Sequence, residues 1–239
     1  MLTLAVTTST SVMGVAVGRN GEVVGARVEP TERRHAERLL PLALEVLTAA
    51  GVGLRNVERL AVDVGPGLFT GLRVGLATVG GLARALDVEV VTASSLFLLA
   101  AGTGGSGNVL AVIDARRGEV FTQAFELDAG SVRTLAPAIV VDPALPLAPL
   151  TAVVSKTTAL RAVGDGAVRY RQRFEEAGCT VVDGSPSVHE LARRGDELDR
   201  SPTRVPTPLY LREPDARIGA WATRASAADT TATVAGSRP

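Results

Sequence analysis

The sequence predicts an α/β fold with two related subdomains, each a mixed sheet flanked by helices. Short apolar runs alternate with segments of helical periodicity through residues 1–101, in the order β-β-β-α-β-α-β-α. A glycine-rich linker at 102–107 then precedes a second part that starts like the first, with a strand, a polar turn and a strand. We therefore expect a first domain at 1–103, a second, smaller domain at 108–216 and a flexible tail at 217–239.

Composition limits the classes of function. The chain has 239 residues, and its 25 basic and 25 acidic residues give a formal net charge of zero. This balance argues against a strongly basic nucleic-acid binder, although a local group of arginines can still contact a phosphate backbone. The single cysteine, Cys179, excludes an internal disulfide and suits a reducing compartment. Met1 leads into an apolar strand without a signal-peptide pattern, so we expect a cytoplasmic protein with no membrane segment.

Three strands open the chain, at 2–6, 12–17 and 22–28. The Asn20-Gly21 pair favours a tight turn, so the second and third strands should form an antiparallel hairpin. Between the first and second strands lies a loop rich in hydroxyl groups. Its candidates for contact with a phosphate are Thr8, Ser9 and Thr10, and the alternative, that these groups satisfy their own turn, has equal support.

Two helices with wide apolar surfaces follow, at 33–50 and 70–86. The first contains Pro41, which should kink it. Before the second, a buried strand at 60–64 breaks at Gly65-Pro66-Gly67, a tight turn that either presents amides to an anion or lets the helix pack closely on the sheet. Each helix has two apolar sides and so needs two packing partners, which are the sheet and either another helix of this chain or a second protein.

A polar turn at 114–118 in the second part occupies the position of the hydroxyl-rich loop in the first. Asp114 and Arg116 flank this turn. One interpretation has Arg116 contact a phosphate or a partner carboxylate while Asp114 holds it, and the other is a salt-bridged turn that fixes the two domains. Asp165, between Gly164 and Gly166, is open to the same two interpretations, as a turn residue or as a contact in the cleft.

Several catalytic signatures are missing from the sequence. Neither H-E-x-x-H nor G-x-S-x-G occurs, and the glycine-rich turn at 65–75 has the spacing of neither a P-loop nor a dinucleotide-binding loop. The two histidines, His35 and His189, have no carboxylate cluster near them in sequence. No catalytic residue and no metal ligand is therefore assigned.

Six segments spread along the chain resemble, in this order, the TsaB (YeaZ) family. Strands and helices in the predicted order, followed by a partial copy, are also the plan of the actin-like, sugar-kinase-like (ASKHA) fold. The six segments are LAVTTST at 4–10, HAERLLP at 35–41, GPGLFTGLRVG at 65–75, IDARRGEVF at 113–121, VGDGA at 163–167 and PLYLR at 208–212.

The resemblance implies a non-catalytic subunit of the machinery that attaches a threonylcarbamoyl group to the adenosine beside the anticodon of tRNA. Members of that family pair with their catalytic relative TsaD, which holds the metal, and the pair engages the ATPase TsaE. A homodimer is implied when TsaD is absent. Contact with tRNA, with ATP or with an adenylate is implied only within the complex, so no cofactor is expected on this chain alone.

The resemblance also implies that the two wide helices form a bundle with TsaD or with a second copy of the chain. The residues predicted to form this partner interface are His35, Leu39, Leu42, Val46, Gly71, Leu72, Gly75, Leu76 and Val79.

Three positions depart from the patterns of relatives and bear on catalysis. Thr7 stands where the family usually has Asp in its first turn, a position where kinases of this fold place an acid for magnesium. His35 stands alone because Leu39 occupies the position of a second metal-binding histidine in TsaD-like proteins. Leu68 replaces a common Ser. These departures favour a scaffold over the alternative, an active ATP-dependent phosphotransferase or ATPase of the same fold.

Overall fold

The structure, a computed structural model, describes residues 1–31, 34–144 and 160–212, which build two sheets with helices on their faces. The first sheet contains, in spatial order, β12 (Asp199–Arg200), β5 (Glu89–Ala93), β4 (Arg59–Asp63), β1 (Leu2–Thr7), β2 (Val12–Arg19) and β3 (Glu22–Pro30). The second contains β11 (Cys179–Val182), β10 (Leu160–Val163), β6 (Gly107–Arg116), β7 (Glu119–Asp128) and β8 (Ser131–Thr134), with β9 (Ile139–Val141) also paired to β7.

Both sheets share one plan. In the first, β1 pairs in parallel with β4 and antiparallel with β2, and in the second, β6 pairs in parallel with β10 and antiparallel with β7. The predicted hairpin is confirmed, since β2 and β3 pair antiparallel. Its turn uses Asn20 and Gly21, whose φ angles of 52° and 82° are left-handed values that these two residues tolerate. Two mixed sheets flanked by helices are the actin-like, sugar-kinase-like arrangement that the sequence predicts.

The described helices are α1 (His35–Ala49), α2 (Phe69–Leu86), α3 (Ser95–Ala101), α4 (Asp165–Arg169), α5 (Arg171–Glu176) and α6 (Val188–Arg193), with a 3₁₀ turn at Leu54–Asn56. Side-chain size decides which helices cover which face of the first sheet. Leu4 and Leu60 point to one face and pack under α1 and α2, while their neighbours Ala5 and Ala61 point to the other and pack under α6.

The predicted domain boundary needs a correction. The second domain was predicted at 108–216, yet α6 packs on the first sheet and β12 joins that sheet beside β5. Residues 188–200 therefore belong to the first domain. Conversely, Leu96 and Leu99 of α3, predicted in the first domain, lie in the core of the second. Contacts between segments so far apart leave no local pattern in the sequence.

The extended segment from Ser131 to Val141 does not form one continuous strand. It is interrupted, and β8 and β9 pair separately with the two ends of β7. Pro137 lies in the gap and has no amide hydrogen to donate to a ladder. The tail predicted at 217–239 lies outside the described residues. In the parts of the chain that the structure describes, no helix has both the length and the apolar character that a membrane crossing requires.

Candidate functional site

The turn between β1 and β2 is filled by helix α2. Thr8, Ser9 and Thr10 are each at most 5% exposed. A Cβ added to Gly71 would overlap the Thr8 carbonyl oxygen, and one added to Gly75 would overlap the Thr8 hydroxyl. These two glycines let the helix lie directly on the turn. The hydroxyl-rich turn that the sequence offered for a phosphate therefore faces a helix and not the cleft.

Asp63 stabilises the β1–β2 turn through hydrogen bonds, and the sequence analysis assigned it no role. Its side chain is fully buried, and its carboxylate accepts hydrogen bonds from the Thr8 amide (3.3 Å), the Gly65 amide (3.3 Å) and the Ser95 hydroxyl (3.2 Å). Burial raises the pKa of the Asp63 carboxyl to about 6, against the opposing effect of these donors. The sequence signal that could have identified Asp63 is its position as the last residue of β4, just before the glycine-proline turn.

His35 also serves the turn. Its Nε2 lies 3.2 Å from the Thr10 carbonyl oxygen and 3.1 Å from the Thr31 hydroxyl. Because a carbonyl oxygen can only accept, the contact with Thr10 places the proton on Nε2. Burial lowers the pKa of His35. Among the described residues, no three His, Cys, Asp or Glu side chains come together in a group that could hold a metal ion.

The residues predicted as a partner interface are buried inside the chain, which corrects the choice of side chains. The two glycines are buried and the other side chains are at most 5% exposed. They pack α1 and α2 against each other and against the first sheet. The apolar sides of α1 and α2 were identified correctly, but these side chains are buried by contacts within the chain itself. The predicted interface residues that are buried within the chain are His35, Leu39, Leu42, Val46, Gly71, Leu72, Gly75, Leu76 and Val79.

A different side of the same helices is exposed. On α1, Leu40 and Leu44 are 41% and 43% exposed, and Pro41 between them is exposed as well. On α2, the outward positions include Ala77 and Gly81. These two helices contact each other, and we call Leu40, Pro41, Leu44, Ala77 and Gly81 the α1–α2 outer face. Exposed charged residues, among them Glu37, Glu45, Arg73 and Arg84, lie on the same helices.

The turn between β6 and β7 is charged and open. Asp114 is 5% exposed, and its carboxylate accepts hydrogen bonds from the Arg116 amide (2.9 Å), the Arg116 guanidinium (3.0 Å) and the Arg169 guanidinium (3.3 Å). Both guanidinium side chains are more than half exposed. One buried carboxylate thus positions two arginines at the surface.

Asp165 supports the same turn from α4. Its carboxylate accepts a hydrogen bond from the Asp114 amide at 3.0 Å. Burial raises the pKa of the Asp165 carboxyl, and the amide of Asp114 opposes that shift. The structure therefore brings Asp165 together with Asp114 and Arg116, which the sequence considered separately as possible contacts in the cleft, while Thr8 lies on the buried β1–β2 turn.

A cleft of about 640 Å³ lies beside this charged turn. Pro66–Arg73 of the first domain and Asp114–Arg116 of the second form two of its sides. The closing segment of the described chain crosses it: the Leu209 amide donates to the Val64 carbonyl oxygen (2.7 Å), and the Arg212 guanidinium donates to the Ala115 carbonyl oxygen (3.3 Å). Its lining residues are Pro66, Gly67, Leu68, Phe69, Leu72, Arg73, Asp114, Ala115, Arg116, Phe121, Leu209, Tyr210, Leu211 and Arg212.

Sequence reasoning missed the aromatic and cationic lining of this cleft. Phe69 and Tyr210 stack with ring centroids 5.7 Å apart, and the Arg73 guanidinium lies 3.8 Å from the centroid of Phe69. Arg212 pairs with Glu119. The motifs at 65–75 and 208–212 contained these residues, but nothing local shows that segments so far apart in sequence meet.

Comparison with known proteins gives a consistent set of matches. The family sequence model described as "TsaD: tRNA N6-adenosine threonylcarbamoyltransferase" matches residues 25–148. The Escherichia coli K12 "tRNA threonylcarbamoyladenosine biosynthesis protein TsaB" is 36% identical over 135 residues, which are 55% of this chain and 58% of that protein. The chain thus spans less than two thirds of that relative.

Longer matches cover nearly the whole of other relatives. An uncharacterized protein of Mycobacterium tuberculosis H37Rv is 32% identical over 216 residues, which are 90% of this chain and 93% of that protein. Among solved structures, "YeaZ from Pseudomonas aeruginosa" is 30% identical, with a TM-score of 0.75, covering 88% of this chain and 99% of that one.

Proposed function

This chain belongs to the TsaB (YeaZ) family, and on that premise we propose that it is a non-catalytic subunit of a tRNA threonylcarbamoyladenosine-forming complex. In this proposal it pairs with a TsaD homologue, which performs the transfer, and the pair engages a TsaE homologue in the cytoplasm. Without that partner, it dimerises with itself. Contact with tRNA is made as part of the complex.

The filled β1–β2 turn is the observation that carries the non-catalytic role. A phosphoryl-transferring protein of this fold needs an open first turn with an acid that positions magnesium. In this chain Thr7 occupies the acid's position and is 4% exposed, and Thr8 lies beneath Gly71 and Gly75 of α2. A phosphate could reach this turn only if α2 moved away. The geometry therefore supports a scaffold over a phosphotransferase or ATPase.

The α1–α2 outer face supports the pairing. Leu40 and Leu44 are exposed apolar residues that lie one helical turn apart on α1. Exposed leucines at this spacing, beside the small residues Ala77 and Gly81 of α2, allow a helix of another protein to approach closely. The face is self-complementary in character, which also suits a homodimer.

Gel filtration and titration calorimetry with the cognate TsaD homologue test this proposal. We expect the wild-type chain to form a stable heterodimer, and Leu44→Asp or Leu40→Asp to weaken it at least tenfold, because a carboxylate would be buried without a partner. The matched control is Ile139→Asp, which alters an apolar residue of similar exposure, 37%, on the second domain. It should leave the affinity unchanged.

Two outcomes would contradict the proposal. Heterodimers of undiminished affinity in both leucine variants would remove the α1–α2 outer face from the interface. Turnover of ATP by the purified chain, lost in Asp114→Ala, would assign the chemistry to this subunit and support the ATPase alternative.

A further inference from the structure

The cleft beside the β6–β7 turn has an aromatic and cationic lining that is partly open to solvent. Phe69 and Tyr210 are 50% and 43% exposed although they stack on each other. Exposed aromatic side chains cost free energy in water. Their placement at the mouth of a cleft, with Arg73 against Phe69, is typical of a stacking platform.

The arginines of the cleft come from three different segments. Arg73 lies on α2, Arg116 on the β6–β7 turn and Arg212 at the end of the crossing segment. The lining contains three arginines and one carboxylate, Asp114, and Glu119 beside it pairs with Arg212, so one positive charge is in excess. The Arg73 guanidinium lies over the Phe69 ring and donates a hydrogen bond to the Tyr210 hydroxyl at 3.4 Å, and the ion pairs of the described residues do not include it. A groove of this kind attracts an anion that extends along it.

Backbone geometry at the turn points the same way. Arg116 has a φ of 63°, in the left-handed region that residues other than Gly, Asn and Asp avoid. The Asn20-Gly21 hairpin uses residues that tolerate this conformation, whereas the β7–β8 hairpin places Ala129 at a φ of 46°. At the β6–β7 turn the buried Asp114 carboxylate accepts hydrogen bonds from both the amide and the guanidinium of Arg116, which fixes the direction of that side chain.

We propose that this cleft binds an unpaired nucleotide of an RNA strand. The base stacks against the exposed part of the Phe69–Tyr210 pair, and the phosphates on either side of it contact Arg73 and Arg116. A volume of about 640 Å³ accommodates one nucleotide.

This inference rests on the proposed function and adds to it a direct contact between this subunit and the RNA. The contact lies beside the β6–β7 turn and uses neither Leu40 nor Leu44, although Arg73 precedes Ala77 of the α1–α2 outer face by one helical turn. A tRNA-modifying complex has to hold its substrate, and a stacked unpaired base is the common mode of specific recognition of single-stranded RNA regions.

Fluorescence anisotropy of the full chain with a labelled, single-stranded oligoribonucleotide tests the inference. We expect binding at low salt, weakened about tenfold by Tyr210→Ala and retained in Tyr210→Trp, because one ring supplies the stacking. Arg73→Gln and Arg116→Gln should each weaken binding and lower the dependence on salt by about one phosphate contact. Arg133→Gln is the matched control, an exposed arginine on β8 paired with Glu126, and it should change nothing.

Each contrary result overturns the inference. These results are no binding by the wild-type chain at low salt, equal affinity in Tyr210→Ala and Arg133→Gln, or competition by adenosine monophosphate at the same concentration as the strand, which would make the ligand a free nucleotide. Should Tyr210→Ala unfold, Arg73→Gln decides alone. Heterodimer formation is measured in parallel. If the wild-type chain fails to pair with the TsaD homologue, the proposed function falls, while the titration of the isolated chain still decides whether RNA binds.

Discussion

The β1–β2 turn and the β6–β7 turn occupy equivalent places in the two sheets, yet their contents are opposite. The first is neutral and buried, with Thr8 beneath α2. The second is charged and half open, with Arg116 and Arg169 held at the surface by Asp114. A shared topology therefore does not decide whether a turn can meet a ligand.

The helices that follow the neighbouring parallel strands explain the difference. Both turns are approached by glycines, Gly71 of α2 in the first domain and Gly166 of α4 in the second, where an added Cβ would lie 2.9 Å from the Asp114 amide nitrogen. However, α2 runs for 18 residues and covers its turn, whereas α4 ends after five and leaves the arginines exposed. The two turns thus differ in how the following helix covers them: α2 buries the β1–β2 turn, and α4 leaves the arginines of the β6–β7 turn exposed.

The largest effect is expected from filling the contact between α2 and the first turn. Gly71→Ala places a methyl group on the Thr8 carbonyl oxygen, and backbone atoms cannot move aside as a flexible side chain would. We expect the free energy of unfolding to fall by about 3 kcal/mol in urea titrations, at the upper end of the usual cost of overpacking.

Gly81→Ala is the matched control on the same helix, because nothing lies within 4 Å of its added Cβ. It should raise the free energy of unfolding by about 0.5 to 1 kcal/mol, the helix propensity difference between alanine and glycine. Equal effects of the two substitutions would show that α2 does not press on the turn.

A smaller effect, and one that depends on pH, is expected from Asp63. Burial raises its pKa from 3.8 to about 6, so between these pH values the folded protein holds a proton that the unfolded chain has released. The contribution of Asp63 to the free energy of unfolding therefore decreases as pH rises from about 4 to about 6, by at most about 3 kcal/mol.

Asp63→Asn should lack this dependence, and urea unfolding of both proteins between pH 4.5 and 7 measures the difference. His35, whose pKa is lowered by burial, contributes in the opposite sense and is common to both proteins, so it cancels in that difference. A difference that stays constant over the range would mean that the carboxyl is ionised throughout.

The smallest effect on stability is expected at the second turn. Arg116→Asn loses an ion pair whose arginine is 53% exposed, and it gains a residue better suited to a φ of 63°. The two changes oppose each other, so the free energy of unfolding should stay within about 0.5 kcal/mol of the wild-type value.

The reverse substitution in the other hairpin, Asn20→Arg, serves as its control. It places an arginine at a φ of 52° and should cost about 1 kcal/mol. A loss of several kcal/mol in Arg116→Asn would instead identify Arg116 as a structural residue and weaken the case for a ligand at this turn.

Much of the fold could be predicted from sequence because its signals are local. The Asn20-Gly21 hairpin, the apolar strands and the two-sided helices follow from residues adjacent in the chain. The predicted interface shows where this approach fails. Leu39 and Val79 were recognised as apolar, but periodicity cannot tell burial inside the protein from burial against a partner, and both are at most 1% exposed.

The sequence by itself determined the order of strands and helices, the family and the absence of an acid at Thr7, since each depends on residue identity and spacing along the chain. Only the tertiary structure decided that α2 closes the first turn, that residues 188–200 return to the first sheet and that Phe69 meets Tyr210. These contacts join segments separated by 60 or more positions, and their energy comes from close packing in three dimensions, which no local pattern encodes.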